Sequence, residues 1–452
     1  MTKSSKNLWA RLLFRDRGIL PGRTFLISYL VLSAGLVLLS LTDISWVFLI
    51  SVNVLFILAS FFDLLFMPKR KDIKVIRNIE GDMERGLDYE VMVEFSNASS
   101  YPSKFRLVDG LPQSFRQKFP VHGSVQGQSR SQFVYQTVPL VRGKYELDKL
   151  YIRYTSKFGL WEKQMAVEQS DTVKVIPDLS ETRHFLENAQ QFLMHEGLKI
   201  RRHQSGSGEF SRVRNYVVGD DPRMINWRQT AKWQEVMANE YEPEHGKQIM
   251  ILIDCGRMMG AELKEANRLE KTLEASMTVA AAALKNGDYV GVLAFSNEMK
   301  LFVPPDKGME HLQTIIQSTY HLQADAKESN YAAVMSYLQT VQKKRSLILL
   351  FSDVYTFLHE ESTLHYIKRL RARHLFLMVG IEDELLAEET KHQPETVQLA
   401  MKKAMAQQQV HRKKREKTKW EAQGLVMIEA KEDELAAESV SQVIHWMNQG
   451  LL

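Results

Sequence analysis

The sequence has one cysteine, Cys255, in 452 residues. That excludes an internal disulfide framework and suits a reducing compartment. Charge of either sign is in small excess: the formal net charge is +5, and no basic stripe interleaved with aromatics is present. Nucleic acid is therefore not an expected partner. No Gly-Lys-Ser/Thr phosphate loop occurs, and Gly256 with Gly260 makes no dinucleotide fingerprint. A phosphatase loop needs an arginine six positions after its cysteine, where Ala261 stands. His195 and His203 have no cysteine or third histidine at zinc spacing, so they read as surface residues. These gaps remove most ready-made enzyme classes.

What is there begins with two apolar stretches, Phe25 to Leu41 and Ile44 to Met67, each long enough to cross a hydrocarbon core of about 30 Å. Only Thr42-Asp43 separate them, so a transmembrane hairpin over residues 25–67 is expected. A signal peptide fits poorly, because its apolar region is shorter and ends in a cleavage site. Lys3, Lys6, Arg11, Arg15, Arg17 and Arg23 precede the hairpin, and Lys69, Arg70 and Lys71 follow it. The positive-inside rule then places both ends in the cytoplasm, including a basic N-terminus over residues 1–24. Asp63 lies in the second span. It is either a functional intramembrane carboxylate or an interfacial residue one turn from the basic end.

From residue 72 to 178 the pattern changes to period two. Tyr89 to Ser96, Phe133 to Val138 and Tyr145 to Tyr154 alternate as half-buried strands, with turn formers between them. A small antiparallel β-sandwich is expected. Phe158-Gly159-Leu160-Trp161 is an aromatic turn, either a docking point or a sandwich corner. Residues 179–247 read as a connector: a helix over Leu179 to Leu198, a polar lead-in from Arg201 to Gly208, then a charged loop around Gly219-Asp220-Asp221-Pro222-Arg223.

Residues 248–452 alternate strands with helices. The expected strands are Ile249–Asp254, Tyr289–Phe295, a weaker edge Met299–Val303, Ser346–Phe351, His374–Gly380 and Gly424–Ile428. Helices are expected at Arg268–Lys285, Gly308–Tyr320, Tyr331–Lys344, Leu358–Ala372, Glu382–Gln409 and Leu435–Asn448. The fold class is α/β, with a mostly parallel, doubly wound sheet. Asp254 ends one strand and Asp353 follows another. Strands adjacent across a topological switch point would bring both to one crevice, within reach of Ser329. Carboxylates with a hydroxyl suit a hard divalent cation such as Mg²⁺.

Arg214-Asn215-Tyr216, Gly219-Asp220-Asp221-Pro222-Arg223, Ile225-Asn226-Trp227 and Ala231 together resemble the signature of the bacterial DUF58 family, and Arg142-Gly143-Lys144-Tyr145 and Phe158-Gly159-Leu160 resemble its upstream landmarks. The resemblance implies a membrane hairpin, a β-rich segment and a von Willebrand factor A-like (Rossmann-like) domain, often found with MoxR-type AAA+ ATPases. It also implies a metal motif Asp-x-Ser-x-Ser with a threonine loop and a later aspartate. Here the first piece is Asp254-Cys255-Gly256-Arg257-Met258, with both serines replaced. Ser329 stands at the threonine position and Asp353 at the later aspartate, leaving a degenerate site of three ligands. Arg257 either neutralises Asp254 or Asp353 or lies exposed in its loop.

In the signature, Asp220 and Asp221 could serve acid–base chemistry, but neighbours in sequence point apart and Asp-Asp-Pro opens turns well. The expectation is a structural clamp, with Arg214 and Arg223 on the aspartates and Trp227 packed on the α/β domain. The run His411 to Lys419 reads as a solvated helix end or a contact for anionic lipid. The chain is thus read as a non-catalytic, membrane-anchored interaction or scaffold protein. It would sit in the bacterial cytoplasmic membrane, multi-pass, with its soluble domains facing the cytoplasm. The expected partners are the lipid bilayer and, by resemblance, a MoxR-type ATPase in protein assembly or envelope stress. No cofactor is required; Mg²⁺ is the one cation the degenerate site suggests. The rivals are a metal-dependent ligand-binding receptor and a hydrolase of unknown substrate.

Overall fold

The computed structural model describes residues 18–41, 44–187, 209–242, 246–358, 361–391 and 393–448. The basic residues before Gly18, the Thr42-Asp43 turn, the end of the connector helix, His195, His203 and the lead-in Arg201 to Gly208 lie outside them. The chain divides into two units, Met1–Ile176 and Pro177–Leu452.

In the first unit the alternation seen in the sequence becomes two facing sheets. One contains β1 (Ile19–Pro21), β3 (Asp82–Glu84), β5 (Ser103–Asp109), β7 (Val121–Val125), β9 (Gly143–Thr155) and β10 (Trp161–Ile176). The other contains β2 (Ile73–Asn78), β4 (Tyr89–Asn97), β6 (Phe115–Gln117) and β8 (Ser129–Pro139). Inward positions supply the core: Val91, Val93 and Phe95 from β4 meet Phe105, Leu107 and Ile152 from the opposite sheet. The rings of Phe95 and Phe105 stack at 4.3 Å, and Phe105 meets Phe133 edge-on at 4.8 Å.

Two details correct the sequence reading. The pairing of β3 with β10 is parallel, so the sandwich is not wholly antiparallel. And β1 precedes the first apolar helix, so the segment read as a basic tail contributes a strand, pairing antiparallel with β10. Three residues are too few to show a period, which is why the strand was not legible.

An arginine occupies one inward position of β2. Arg77 is fully buried and donates to Asp109 at 2.6 Å, to Asp171 at 2.8 Å and to the Leu147 carbonyl at 2.6 Å. Tyr135 donates to the other oxygen of Asp109 at 2.6 Å. Burial still holds the Asp109 carboxyl above its ordinary range, so desolvation outweighs these partners.

The apolar stretches are helices Arg23–Leu39 and Trp46–Phe61, the second continuing as a 3-10 turn, Phe62–Phe66. The span Trp46–Asp72 is long and apolar enough to cross a membrane, with mean hydropathy 2.3; Arg23–Leu39 is shorter. Phe25 and Tyr29 of the first helix meet Phe56 of the second at 5.8 and 6.0 Å.

The turn Phe158–Trp161 is where both helices are fastened, with Asp63 and Trp161 at the joint. Asp63 is buried and accepts from the Ser156 hydroxyl, the Phe158 N–H at 3.3 Å and the Leu160 N–H at 3.1 Å. The Trp161 indole donates to the Ser60 carbonyl at 2.9 Å and stacks on Phe61 at 5.1 Å. On the entering side, the Gly22 N–H donates to the Leu160 carbonyl at 2.7 Å and Thr24 donates to the Gly159 carbonyl. A Cβ at Gly22 would stand 2.3 Å from that Gly159 oxygen, so only glycine permits the approach.

In the second unit, β11 (Glu209–Asn215) and β12 (Met237–Glu242) form an antiparallel ribbon. The charged loop expected there is the tip of this ribbon. A six-stranded sheet follows, ordered β15 (Met299–Asp306), β14 (Tyr289–Phe295), β13 (Gln248–Asp254), β16 (Ser346–Phe351), β17 (Leu375–Ile381) and β18 (Val426–Ala430). All neighbours are parallel except the β15 edge. The continuous apolar runs are buried on both faces, as a sheet covered by crossover helices requires.

Helix boundaries mostly follow the expectation, with two exceptions. The helix expected over Glu382–Gln409 is two, Glu384–Lys391 and Val397–Ala422. Pro394 cannot sit inside a helix, and Thr396 caps the second one by accepting from the Leu399 N–H. His411 to Lys419 therefore lies inside that helix, not at its end. Around the helix expected over Leu358–Ala372, helix already begins at Val354: Val354–Leu358 and Glu361–Arg371 are the helical described residues.

Arg77→Ala should destabilise the chain by on the order of 3–5 kcal/mol, because it leaves Asp109 buried and unpaired. Adding Asp109→Asn should recover part of that loss. Denaturant unfolding of the detergent-solubilised full chain measures both; a cost for the single variant within about 1 kcal/mol of zero removes the core role of Arg77.

Candidate functional site

The chain passes from β13 to β14 on one side and returns to β16 on the other, so the β13/β16 boundary is the switch point of the sheet. Ile253 pairs with Phe351, which sets Asp254 beside Ser352 at the carboxyl edge, with Asp353 next. The two acids thus meet at one edge, as the sequence predicts.

Asp254 is 2% exposed. One carboxyl oxygen accepts from the Gly256 N–H at 2.8 Å and from the Ser329 hydroxyl. The other accepts from the Tyr331 hydroxyl at 2.8 Å and from Ser352. Four donors meet the roughly four lone-pair positions a carboxylate has. Burial nevertheless pushes the Asp254 carboxyl up, and it raises the Tyr331 phenol well above its usual value beside the same acid. Gly256 makes the arrangement fit: a Cβ there would stand 2.0 Å from the Ser329 hydroxyl oxygen.

Asp353 has different company. It accepts from the Thr356 N–H at 2.8 Å and the Thr356 hydroxyl at 2.7 Å, and it pairs with Arg268. The neutraliser of the crevice is therefore Arg268, the first residue of the helix Arg268–Lys285. Arg257 is exposed and pairs with Glu328 at 2.9 Å on the rim. The sequence clue to Arg268 was weak: an arginine opening a helix whose cap, Asn267, is unremarkable in itself.

This donor set does not fit Mg²⁺. A hard dication needs an octahedron of oxygens with free lone pairs, whereas Asp254 holds four hydrogen-bond donors and Asp353 holds a guanidinium. Among the described residues no group of three or more His, Cys, Asp or Glu stands where it could hold a metal ion. Cys255 is fully buried beneath the same edge.

The signature residues assemble separately, at the tip of the ribbon. Arg214 grips Asp220 with both terminal nitrogens, at 2.7 and 2.9 Å. Asp220 also accepts from the Val217 N–H at 3.0 Å, and the Tyr216 hydroxyl donates to the Asp220 carbonyl at 2.9 Å. Gly219 takes φ +113°, which closes the turn. These bonds, led by Arg214, hold the Asp220 carboxyl below its ordinary range.

Asp221 caps the 3-10 turn Pro222–Met224 through the Arg223 N–H at 2.9 Å. The expected clamp is therefore half as drawn, since Arg223 engages Asp221 through its backbone. Asn226 caps the helix Trp227–Trp233 and bonds across to Asn239 at 2.8 Å. Trp227 does not pack on the α/β domain: it is 70% exposed, Trp233 is also exposed, and Val218 is 98% exposed.

The polar half of the signature builds a rigid tip, and the apolar half is displayed on it. Sequence reading identified the polar half. It packed Trp227 on the α/β domain, and it passed over Val217, Val218 and Trp233.

Residues 212–420 match the family model "Protein of unknown function DUF58". A relative described as uncharacterized protein YeaD, from Bacillus subtilis, is 24% identical over 202 residues, 44% of this chain; the match spans 48% of the relative's length. The chain is thus similar to DUF58 proteins over its second half, and it spans about half the length of the relative it matches. Among solved structures, the conserved hypothetical protein BatB from Bacteroides thetaiotaomicron aligns over 45% of this chain and 100% of its own, at 14% identity and TM-score 0.30. Salmonella alpha-2-macroglobulin aligns over 23% of this chain and 7% of its own, at 11% identity and TM-score 0.19.

Asp254 holds its proton more tightly folded than unfolded, because its carboxyl lies above 3.8. Its contribution to stability is therefore greatest at low pH and is lost as pH rises from the ordinary carboxylate range through the raised value. Asp254→Asn should flatten that part of the pH profile. Urea midpoints of both proteins across the acidic and neutral range check it; parallel profiles would mean Asp254 titrates normally.

Proposed function

We propose that this chain, whose residues 212–420 match the DUF58 domain, is a membrane-anchored interaction protein that catalyses no reaction. The reading rests on the ribbon tip. Its hydrogen-bonded frame costs little further ordering on binding, while Val218 and Trp227 stand in solvent. Preorganised aromatic anchors are what protein interfaces use. At the sheet edge the serine hydroxyls point at a buried carboxylate already filled with donors, which speaks against an activated nucleophile. The same saturation speaks against the metal-dependent receptor.

The finer assignments follow from the resemblance. The six-stranded sheet, with acids at its switch point, is read as a von Willebrand factor A-like domain whose metal site has become a hydrogen-bonded knot. The two apolar helices are read as a membrane hairpin with the soluble parts in the cytoplasm. The partner is read as a MoxR-type AAA+ ATPase, in protein assembly or envelope stress.

Val218→Ser with Trp227→Ser should weaken binding of the purified MoxR-type ATPase to the detergent-solubilised full chain by tenfold or more, on the order of 1.4 kcal/mol. Asp254→Asn should leave it within about twofold. Interferometry on immobilised full chain measures both; unchanged affinity in the double variant sinks the ribbon tip as the docking element.

A further inference from the structure

The outer face of the β1–β10 sheet carries a groove that neither the signature nor the family resemblance accounts for. Arg106 pairs across strands with Arg153, and Arg153 with Gln164, so the three side chains form one row on the same face. Tyr151 lies in the next outward row, and Phe119 and Pro120 make an apolar wall. Together they line a groove of about 390 Å³, within the range of small-molecule sites.

The charges in it do not cancel. Arg106 is matched by Glu162. Arg153 is exposed, donates through Nε to Gln164 at 3.1 Å, and has no carboxylate partner among the described residues. Its planar fork suits an oxyanion bound bidentately. Glu162, two residues from Gln164 on the same face of β10, is taken up by Arg106, which leaves the Arg153 charge uncompensated.

Position supplies the second argument. Gln164 is three residues along β10 from Trp161, whose indole bonds Ser60 of the apolar helix. That is about 10 Å at strand rise, close to one screening length. A phosphate at Arg153 would lie just outside the end of the helix pair.

We propose that this groove binds the headgroup of an anionic phospholipid, with its phosphate on Arg153 and Tyr151 and its polyol on Gln164. The assignment rests on the membrane-anchored reading above. The docked lipid would fix the rotation of the sandwich on the bilayer surface, a contact that the basic residues flanking the helices do not specify.

The test uses the full chain reconstituted in vesicles of phosphatidylcholine with phosphatidylglycerol, extracted in mild detergent and weighed by native mass spectrometry. Retained phosphatidylglycerol, and not phosphatidylcholine, is expected, with occupancy falling about tenfold in Arg153→Gln and less in Tyr151→Phe. Lys104→Gln, on the same face but outside the groove, should retain the lipid and controls for bulk charge. Equal retention in Arg153→Gln, or equal retention of phosphatidylcholine, overturns the proposal while leaving the membrane reading intact. Displacement of the lipid by inorganic phosphate would assign the groove to a soluble anion and overturn the lipid assignment. A chain that fractionates without detergent overturns the membrane reading and this one with it.

Discussion

A carboxylate taken out of water must be surrounded by donors or lose its charge, and this protein is organised around four that are. Asp63 holds the end of an apolar helix in a turn of the sandwich. Asp109 holds Arg77 between the two sheets. Asp254 gathers Gly256, Ser329, Tyr331 and Ser352 at the switch point, and Asp353 joins a helix cap to Arg268. Each ties together segments far apart in sequence, and removing any one leaves orphaned donors in several elements at once.

The same rule explains what was legible beforehand. The strands and helices of the α/β sheet follow from apolar runs and helical spacing, which are local signals, and the register of β13 on β16 could be anticipated from the position of two acids. Arg268 could not be identified as the partner of Asp353, because nothing local marks which of two nearby arginines turns inward. Arg77 was visible in principle: it sits at an inward position of an alternating strand, where a charged residue demands a buried partner. The ribbon shows the opposite failure. Trp227 is expected from the sequence to pack on the α/β domain, yet the bonds of Arg214, Asp220 and Asn226 complete the tip without it.

A likeness in sequence and a likeness in chemistry part company at the switch point. The acids of the expected metal site occupy their positions, but Gly256 leaves room for Ser329 to close over Asp254, and Arg268 brings a permanent positive charge to Asp353. Where the resemblance implies a cation, the structure places hydroxyl and amide donors on Asp254 and a guanidinium on Asp353. Its acids hold the sheet edge together, and the exposed apolar side chains, Val218, Trp227 and Trp233, are on the ribbon tip.

The socket at Phe158–Trp161 has a mechanical consequence. Both apolar helices are keyed to one turn by backbone bonds, an indole and a buried acid, so no loose hinge separates them from the sandwich. Seated in a bilayer, the pair would act as the short arm of a lever. Helices lean to match the thickness of the lipid around them, and a stiff joint passes that lean on, swinging the far end of the sandwich through an arc that a flexible tether would absorb.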